Sequence, residues 1–290
     1  MTLSTTTDRP ATAAGTLGLG DGLSVNRLGF GAMRITGEGI WGPPADRDSA
    51  KAVLRRCLEL GVNCIDTADS YGPDVSEELI AEALTPYPDD LVVATKGGMR
   101  RDGPGQWRAD CRPEHLRQAC EGSLRRLGLD RIDLYQLHTV DSAVPLAESL
   151  GALVELKDEG KIRHIGVSNV DVDQLSQALA ITTVVSVQNR YNVGDRTSEP
   201  VLERCEAEGI AFIPYFPLAA GSMADDGGPL DDLAQAHGAS PAQVALAWLL
   251  ARSPQMLPIP GTSSVAHLEE NMAGAELRLS PDEVASLSAA

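Results

Sequence analysis

The sequence predicts an α/β protein of the (β/α)8 (TIM) barrel class. Three observations carry this prediction: eight short apolar runs, amphipathic stretches between them, and a length of 290 residues. Strands that are apolar on both faces and alternate with helices form a parallel sheet covered by helices. A doubly wound sheet needs fewer strands and a Gly-rich first turn, whereas this length and strand count suit a barrel of typically ~250 residues. Neither a repeat nor a linker divides the chain, so residues 16–290 are expected to form one domain.

Residues 1–15 are Thr/Ala-rich, with neither a basic leader nor an apolar core of signal-peptide type, and are expected to be a frayed tail. Leu17-Gly-Leu-Gly-Asp-Gly-Leu23 has hairpin-turn chemistry and is expected to cap the barrel's N-terminal end. The runs at 27–30, 62–66, 91–95, 133–137, 164–167, 184–187, 210–213 and 256–259 predict the strands. Helical spacing lies between them, at 47–60 and 75–84 and then at 113–127, where Pro113 opens a stripe of Leu116, Ala119, Cys120, Leu124 and Leu127 that Gly128 stops. Further helices are predicted at 145–158, at 199–208 and after Ser240-Pro241, an N-cap followed by proline. Ser280-Pro-Asp-Glu283 has the form of a capping box for a C-terminal helix.

Composition excludes several function classes. With 24 Lys+Arg against 41 Asp+Glu the formal charge is −17, so a polyphosphate backbone would be repelled and no nucleic-acid partner is expected. No run approaches the roughly 20 apolar residues of a membrane span, and a cytoplasmic protein is expected. The five cysteines are odd in number and form no Cys-x-x-Cys, which fits small buried hydrophobes in a reducing compartment better than disulfides or a zinc ribbon. No metal is expected.

In a barrel the chemistry gathers at the C-terminal ends of the strands. Asp66, Lys96 and His138 end the second, third and fourth predicted strands, and Tyr71 lies five residues beyond Asp66. Each has an ordinary structural use, Asp66 as a cap, His138 as a buried histidine and Tyr71 as a loop anchor. Lys96 is harder to assign so, because it directly follows Val92-Val-Ala-Thr95, its stem would be buried, and its ammonium would need the anion that Asp66 offers. A tyrosine with an ordinary pKa of about 10 needs such a cation beside it to exchange protons near neutrality.

These residues, together with Gly29-Phe-Gly-Ala-Met33, Asp66-Thr-Ala-Asp-Ser-Tyr-Gly72, Ala94-Thr-Lys-Gly97, Asp133-Leu-Tyr-Gln-Leu-His138, Gly166-Val-Ser-Asn169, Gln188-Asn-Arg-Tyr-Asn192 and Ser240-Pro-Ala-Gln-Val-Ala-Leu-Ala-Trp248, resemble the aldo-keto reductases from about Asn26 to the C-terminus. The resemblance implies a barrel that binds NADPH across its mouth and reversibly reduces an aldehyde or ketone. Asp66, Tyr71, Lys96 and His138 match the catalytic four. The nicotinamide would supply hydride and Tyr71 the proton, with His138 polarising the carbonyl oxygen.

For the cofactor the resemblance implies Ser168, Asn169 and Gln188 at the carboxamide, Tyr215 against the nicotinamide, and a pyrophosphate loop containing Phe216, Pro217, Leu218 and Gly221. Gly31 and Met33 would approach from the first strand, and Gly261, Thr262, Ser263, His267, Glu270 and Asn271 would form the adenosine 2'-phosphate segment. That segment departs from the family, which places Arg or Lys there, because this chain has neither between Pro254 and Glu276. NADPH is expected, with NADH as the alternative.

Trp41, Arg100 and Trp107 are expected to border the substrate. Arg100 and Arg101 either greet an anionic group, or only close the loop or offset Asp102 and Asp110. Some segments are also similar to members with pyridoxal-reductase-like activity. Two other functions share the same residues: a cofactor-binding, redox-sensing or regulatory subunit with little turnover, and an aldolase using Lys96 as a Schiff-base amine. The oligomeric state is left open.

Overall fold

The computed structural model describes residues 8–218 and 228–289. After a 3-10 turn at Pro10–Ala14 the chain forms a hairpin of β1 (Thr16–Gly18) and β2 (Ser24–Asn26), then β3 (Phe30–Gly31), α1 (Arg47–Glu59), β4 (Cys64–Asp66) and α2 (Val75–Leu84). Next come β5 (Val92–Gly97), a second hairpin of β6 (Met99–Gly103) and β7 (Gln106–Ala109), α3 (Pro113–Leu127), β8 (Ile132–Leu137) and α4 (Leu146–Asp158). The remainder is β9 (Ile162–Ser168), α5 (Val172–Ile181), β10 (Val184–Arg190), α6 (Glu199–Glu208), β11 (Ala211–Tyr215), α7 (Pro229–His237), α8 (Pro241–Arg252), α9 (Val265–Ala273) and α10 (Pro281–Ala289). No helix among the described residues is long and apolar enough to cross a membrane.

Seven strands pair in parallel in the order β11-β10-β9-β8-β5-β4-β3, with helices between successive strands, giving an α/β fold of TIM-like form. The predicted helices start where capping chemistry directs them. Ser240 accepts from the Gln243 amide with Pro241 in the first turn, Gly128 and Gly209 end α3 and α6 in left-handed backbone, and Ser280 and Glu283 bond reciprocally ahead of α10.

Two expectations are corrected. The run at 256–259 is not a strand, because Pro258 and Pro260 have no N–H for a ladder. It still reaches both edges of the sheet: Leu257 N–H donates to Phe212 O, while Gly29 and Gly31 N–H donate to Pro258 O and Pro260 O. The expected tail at 1–15 is too long, since Pro10 starts a turn in which Ala11 is fully buried and donates to Leu60 O. Residues 1–7 lie outside the described residues. The hairpin predicted near residue 20 pairs Leu17 with Val25, and Leu17, Leu19 and Val25 share an apolar cluster with Cys64, Val92, Leu134, Val185 and Leu257.

Arg27 fastens the irregular segment. Its guanidinium is half-buried and donates to the carbonyls of Leu250, Ser253 and Met256, at the C-terminal end of α8 and just beyond it. Arg27→Met should strand these acceptors and lower the unfolding free energy by about 2–4 kcal/mol. The urea midpoint checks this, and a midpoint equal to wild type would contradict the role.

Candidate active site

The C-terminal ends of β4, β5, β8, β9 and β10 converge on one buried ion pair. In the sheet register Asp66 lies opposite Ala94, Lys96 opposite Gln136 and Ser168 opposite Gln188, so the strands deliver these side chains together. Lys96 has no exposed surface, and its Nζ donates to Asp66 Oδ1 at 2.6 Å, Thr67 O at 2.8 Å and Tyr71 Oη at 3.3 Å. That uses all three ammonium donors. Asp66 Oδ2 accepts from Gln136 Nε2 at 3.0 Å and Gln188 Nε2 at 2.9 Å. A desolvated pair is stable only when its remaining hydrogen-bond capacity is met in this way.

Tyr71 sits in the loop between β4 and α2, and His138 directly follows β8, where its N–H donates to Gly97 O. The two rings meet edge to face with centroids 5.8 Å apart, and Trp107 completes a triangle at 6.4 Å from each. Ser70 Oγ lies 3.4 Å from His138 Nδ1.

The electrostatics assign the protons. Burial would lower the Lys96 pKa, but Asp66 and Tyr71 outweigh it and the net shift is upward, so the amine stays charged. That argues against a Schiff-base aldolase, which requires the neutral amine. Burial, helped by Lys96, holds the His138 pKa well below its ordinary value, leaving a neutral imidazole. The Tyr71 phenol was expected to be drawn down by Lys96. Here burial pushes it above the usual value, and the opposing pull of Lys96 does not cancel that. At neutral pH Tyr71 is therefore a loaded acid.

Above these groups opens a cavity of about 850 Å³. Its wall contains Asp66, Tyr71 and His138, and of the other sequence-predicted residues Gly31, Met33, Trp107, Ser168, Asn169, Gln188, Tyr215, Phe216, Pro217, Leu218, Gly261, Thr262, Ser263 and Glu270. Lys96 lies beneath the wall, reaching it through Tyr71. Tyr215 Oη donates to Asn169 Oδ1 at 2.8 Å. Asn169 and Phe216 both have left-handed backbone, at φ 57° and 51°. Asparagine tolerates this, whereas for Phe216 it is strain of about 1–3 kcal/mol held at the cavity edge.

Besides Lys96, four expected site residues do not border the cavity. Arg100 is half-exposed and directed to Asp110, which Arg112 also binds, while Arg108 pairs with Asp102. Arg100 thus offsets a nearby carboxylate, one of the readings left open for it. Trp41 bridges to Gly72, outside the wall. Helix α9 presents Glu270 to the cavity but leaves His267 exposed and Asn271 buried away from it. Gly221 lies outside the described residues.

Sequence reasoning missed Arg34, Ile40 and Met99 in the wall. Arg101 follows the loop-closing reading, and its guanidinium lies 3.8 Å from the Trp107 ring centroid and 5.6 Å from that of Trp41. Arg101 donates to Gly39 O at 2.9 Å, Ile40 O at 2.7 Å and Ser70 O at 3.3 Å, clamping the β6–β7 hairpin and two loops around the mouth. The available sequence signal was an arginine beside a Gly-Pro-Gly turn and opposite a tryptophan.

The Aldo/keto reductase family model matches residues 27–290. The chain is 51% identical over 277 residues to an uncharacterized oxidoreductase of Schizosaccharomyces pombe, with 96% of this chain and 90% of that protein covered. It is 47% identical over 270 residues to the pyridoxine 4-dehydrogenase of Escherichia coli, with 91% and 94% covered. An aldo/keto reductase from Klebsiella pneumoniae, solved in complex with NADP and acetate, matches with a TM-score of 0.79 at 31% identity over 94% of each chain.

Arg101→Met should release the hairpin from the loops. Tryptophan emission should shift to the red as Trp107 and Trp41 lose their shared cation, a contact worth about 0.5–2 kcal/mol. Unchanged emission and near-ultraviolet dichroism would show that the clamp does not hold the mouth.

Proposed function

The chain belongs to the Aldo/keto reductase family, and from that premise we propose that it is an NADPH-dependent carbonyl reductase in which Tyr71 is the proton donor. The observation that carries this reading is the Tyr71 hydroxyl 3.3 Å from the buried, charged Lys96 and beside a neutral His138, at the floor of the cavity. The same reading takes residues 16–290 as one barrel domain, with 255–260 as its eighth stave and the β1–β2 hairpin as its plug.

The residues present suit a nicotinamide dinucleotide. A volume of about 850 Å³ lies high in the range of cofactor sites, roughly 300–1,000 Å³. The wall offers the polar side chains of Ser168, Asn169 and Gln188 near the ion pair, the flat ring of Tyr215, and the glycines Gly31 and Gly261. Ser168, Asn169 and Gln188 would hold the carboxamide, Tyr215 the ring face, and Phe216–Leu218 with Gly261–Ser263 and Glu270 the remainder. Bound there, the cofactor supplies the hydride that reaches the carbonyl carbon.

The rest of the chemistry belongs to the chain. Tyr71 gives its phenolic proton to the carbonyl oxygen as negative charge grows on it. Lys96 lies against the phenol oxygen and stabilises the phenolate left behind, and Asp66 keeps that ammonium in place. Neutral His138 has Nδ1 beside Ser70 and can donate from Nε2 to the same carbonyl oxygen, orienting it without competing for the proton. Ile40, Met99 and Trp107 give the cavity an apolar edge beside these groups, which suits a flat aromatic aldehyde. With the resemblance to the Escherichia coli enzyme, this points to aldehydes of the pyridoxal class as substrates.

Tyr71→Phe tests the reading. Pyridoxal-dependent oxidation of NADPH should fall by about 10²–10⁴-fold while the nucleotide Kd stays within about 2-fold. Wild-type turnover in the variant would remove Tyr71 from the mechanism. Wild-type protein that binds NADPH but turns over no carbonyl in a broad panel would contradict the reductase itself.

The raised Tyr71 pKa sets a pH dependence. Reduction needs the protonated phenol, so its rate should be flat through neutrality and fall only on the alkaline side of the ordinary tyrosine value. Alcohol oxidation needs the phenolate and should rise across that range. Reduction that falls as pH increases between 6 and 8, on the order of ten-fold per unit, would contradict the assignment.

A further inference from the structure

The last strand-like segment contains no lysine or arginine, and the geometry explains why none can stand at its head. A side chain at Gly261 would place Cβ 2.4 Å from the carbonyl oxygen of Gly31, and one at Gly31 would place Cβ 2.7 Å from the carbonyl oxygen of Ile259. The two loops meet backbone against backbone, so position 261 is closed to any side chain, charged or not.

Beside that contact lies an arginine from the facing loop. Arg34 stands on the 3-10 turn Ala32–Ile35, and its Cγ is 3.7 Å from where a Gly261 Cβ would sit. It is exposed, and it borders the same cavity as Gly261, Thr262, Ser263 and Glu270. Among the described residues it is the only lysine or arginine in that wall, and it makes neither an ion pair nor a side-chain hydrogen bond there. Other nearby cations are engaged: Arg56 with Glu59 and Glu269, Arg27 with three carbonyls, and Arg278 with Ala275 O and Ala13 O.

We infer that Arg34, reaching across Gly261 from the first-strand loop, is the cation that binds the 2'-phosphate of NADPH. The inference rests on the proposed cofactor reading and adds to it the residue that discriminates NADPH from NADH. A phosphate monoester carries nearly two negative charges at neutral pH, and in a chain of net charge −17 with Glu270 in the same wall it needs a local cation. A guanidinium supplies paired donors matched to phosphate oxygens, whereas the 2'-hydroxyl of NADH offers it little.

Calorimetric titration of the full chain tests this, with NADPH, NADH, 2',5'-ADP and 5'-AMP as probes on wild type, Arg34→Met and Arg34→Lys. Arg34→Met should weaken NADPH and 2',5'-ADP by about 10- to 100-fold and leave NADH and 5'-AMP within about 2-fold. Arg34→Lys should recover part of the loss. Equal losses for all four ligands, or for NADPH and NADH alike, would place Arg34 elsewhere on the nucleotide and overturn the assignment. Unchanged NADPH affinity would overturn it outright while leaving the reductase reading intact. Wild type that binds neither dinucleotide would overturn that reading and this inference with it.

Discussion

A lysine without exposed surface, 2.6 Å from a buried aspartate, is the constraint on which the site depends. Taking an ammonium and a carboxylate out of water costs several kcal/mol each, and their attraction offsets this only with near-complete hydrogen bonding. The chain meets that condition from five places: Thr67 and Tyr71 after β4, Gln136 on β8, Gln188 on β10, and the pair itself on β4 and β5. A parallel sheet can do this because neighbouring strands end at the same level and in fixed register. The polar centre of the fold and the chemistry of its mouth are thus one arrangement.

That arrangement also fixes where protons reside. The charge on Lys96 helps to keep His138 neutral, and burial keeps Tyr71 protonated, so one acid and one neutral imidazole face the same cavity. The mouth above is bordered by aromatic edges, and Arg101 joins the hairpin β6–β7 to the loops after β3 and β4 through carbonyls and two tryptophan faces. Cations therefore have distinct uses here: Lys96 is buried against an acid, Arg101 is spent on carbonyls and rings, and Arg34 is exposed at the cavity wall.

Much of this was legible in the sequence because it is local. Val92-Val-Ala-Thr95 before a lysine implies a buried stem, Asp66 ends an apolar run on the preceding strand, and caps such as Ser240-Pro241 announce helices. Where the structure departs from the sequence reading, the cause is local in some places and a matter of tertiary contact in others. The apolar run at 256–259 has a strand's composition, but two prolines leave it irregular. The 99–109 segment lacks the apolar run that marks the other strands, yet a Gly103-Pro-Gly105 turn lets it fold back as a hairpin. Arg100 and Arg101 are adjacent in sequence, yet alternation along β6 sends one to Asp110 and the other to the mouth. Helix α5 escaped notice because its apolar stripe is short, though Asp171 and Gln174 form its capping box. Arg34 could be placed only once the Gly31–Gly261 contact was known.

The central dependence can be measured with one double-mutant cycle on unfolding free energy, using Lys96→Met, Asp66→Asn and the pair together. If the ion pair is the constraint described above, each single substitution costs about 3–5 kcal/mol by leaving a buried partner uncompensated. The double substitution then costs less than the sum of the singles by well over about 1 kcal/mol. Single costs near zero, or effects that add to within about 0.5 kcal/mol, would show that the two groups do not depend on each other and that the site is held by something else.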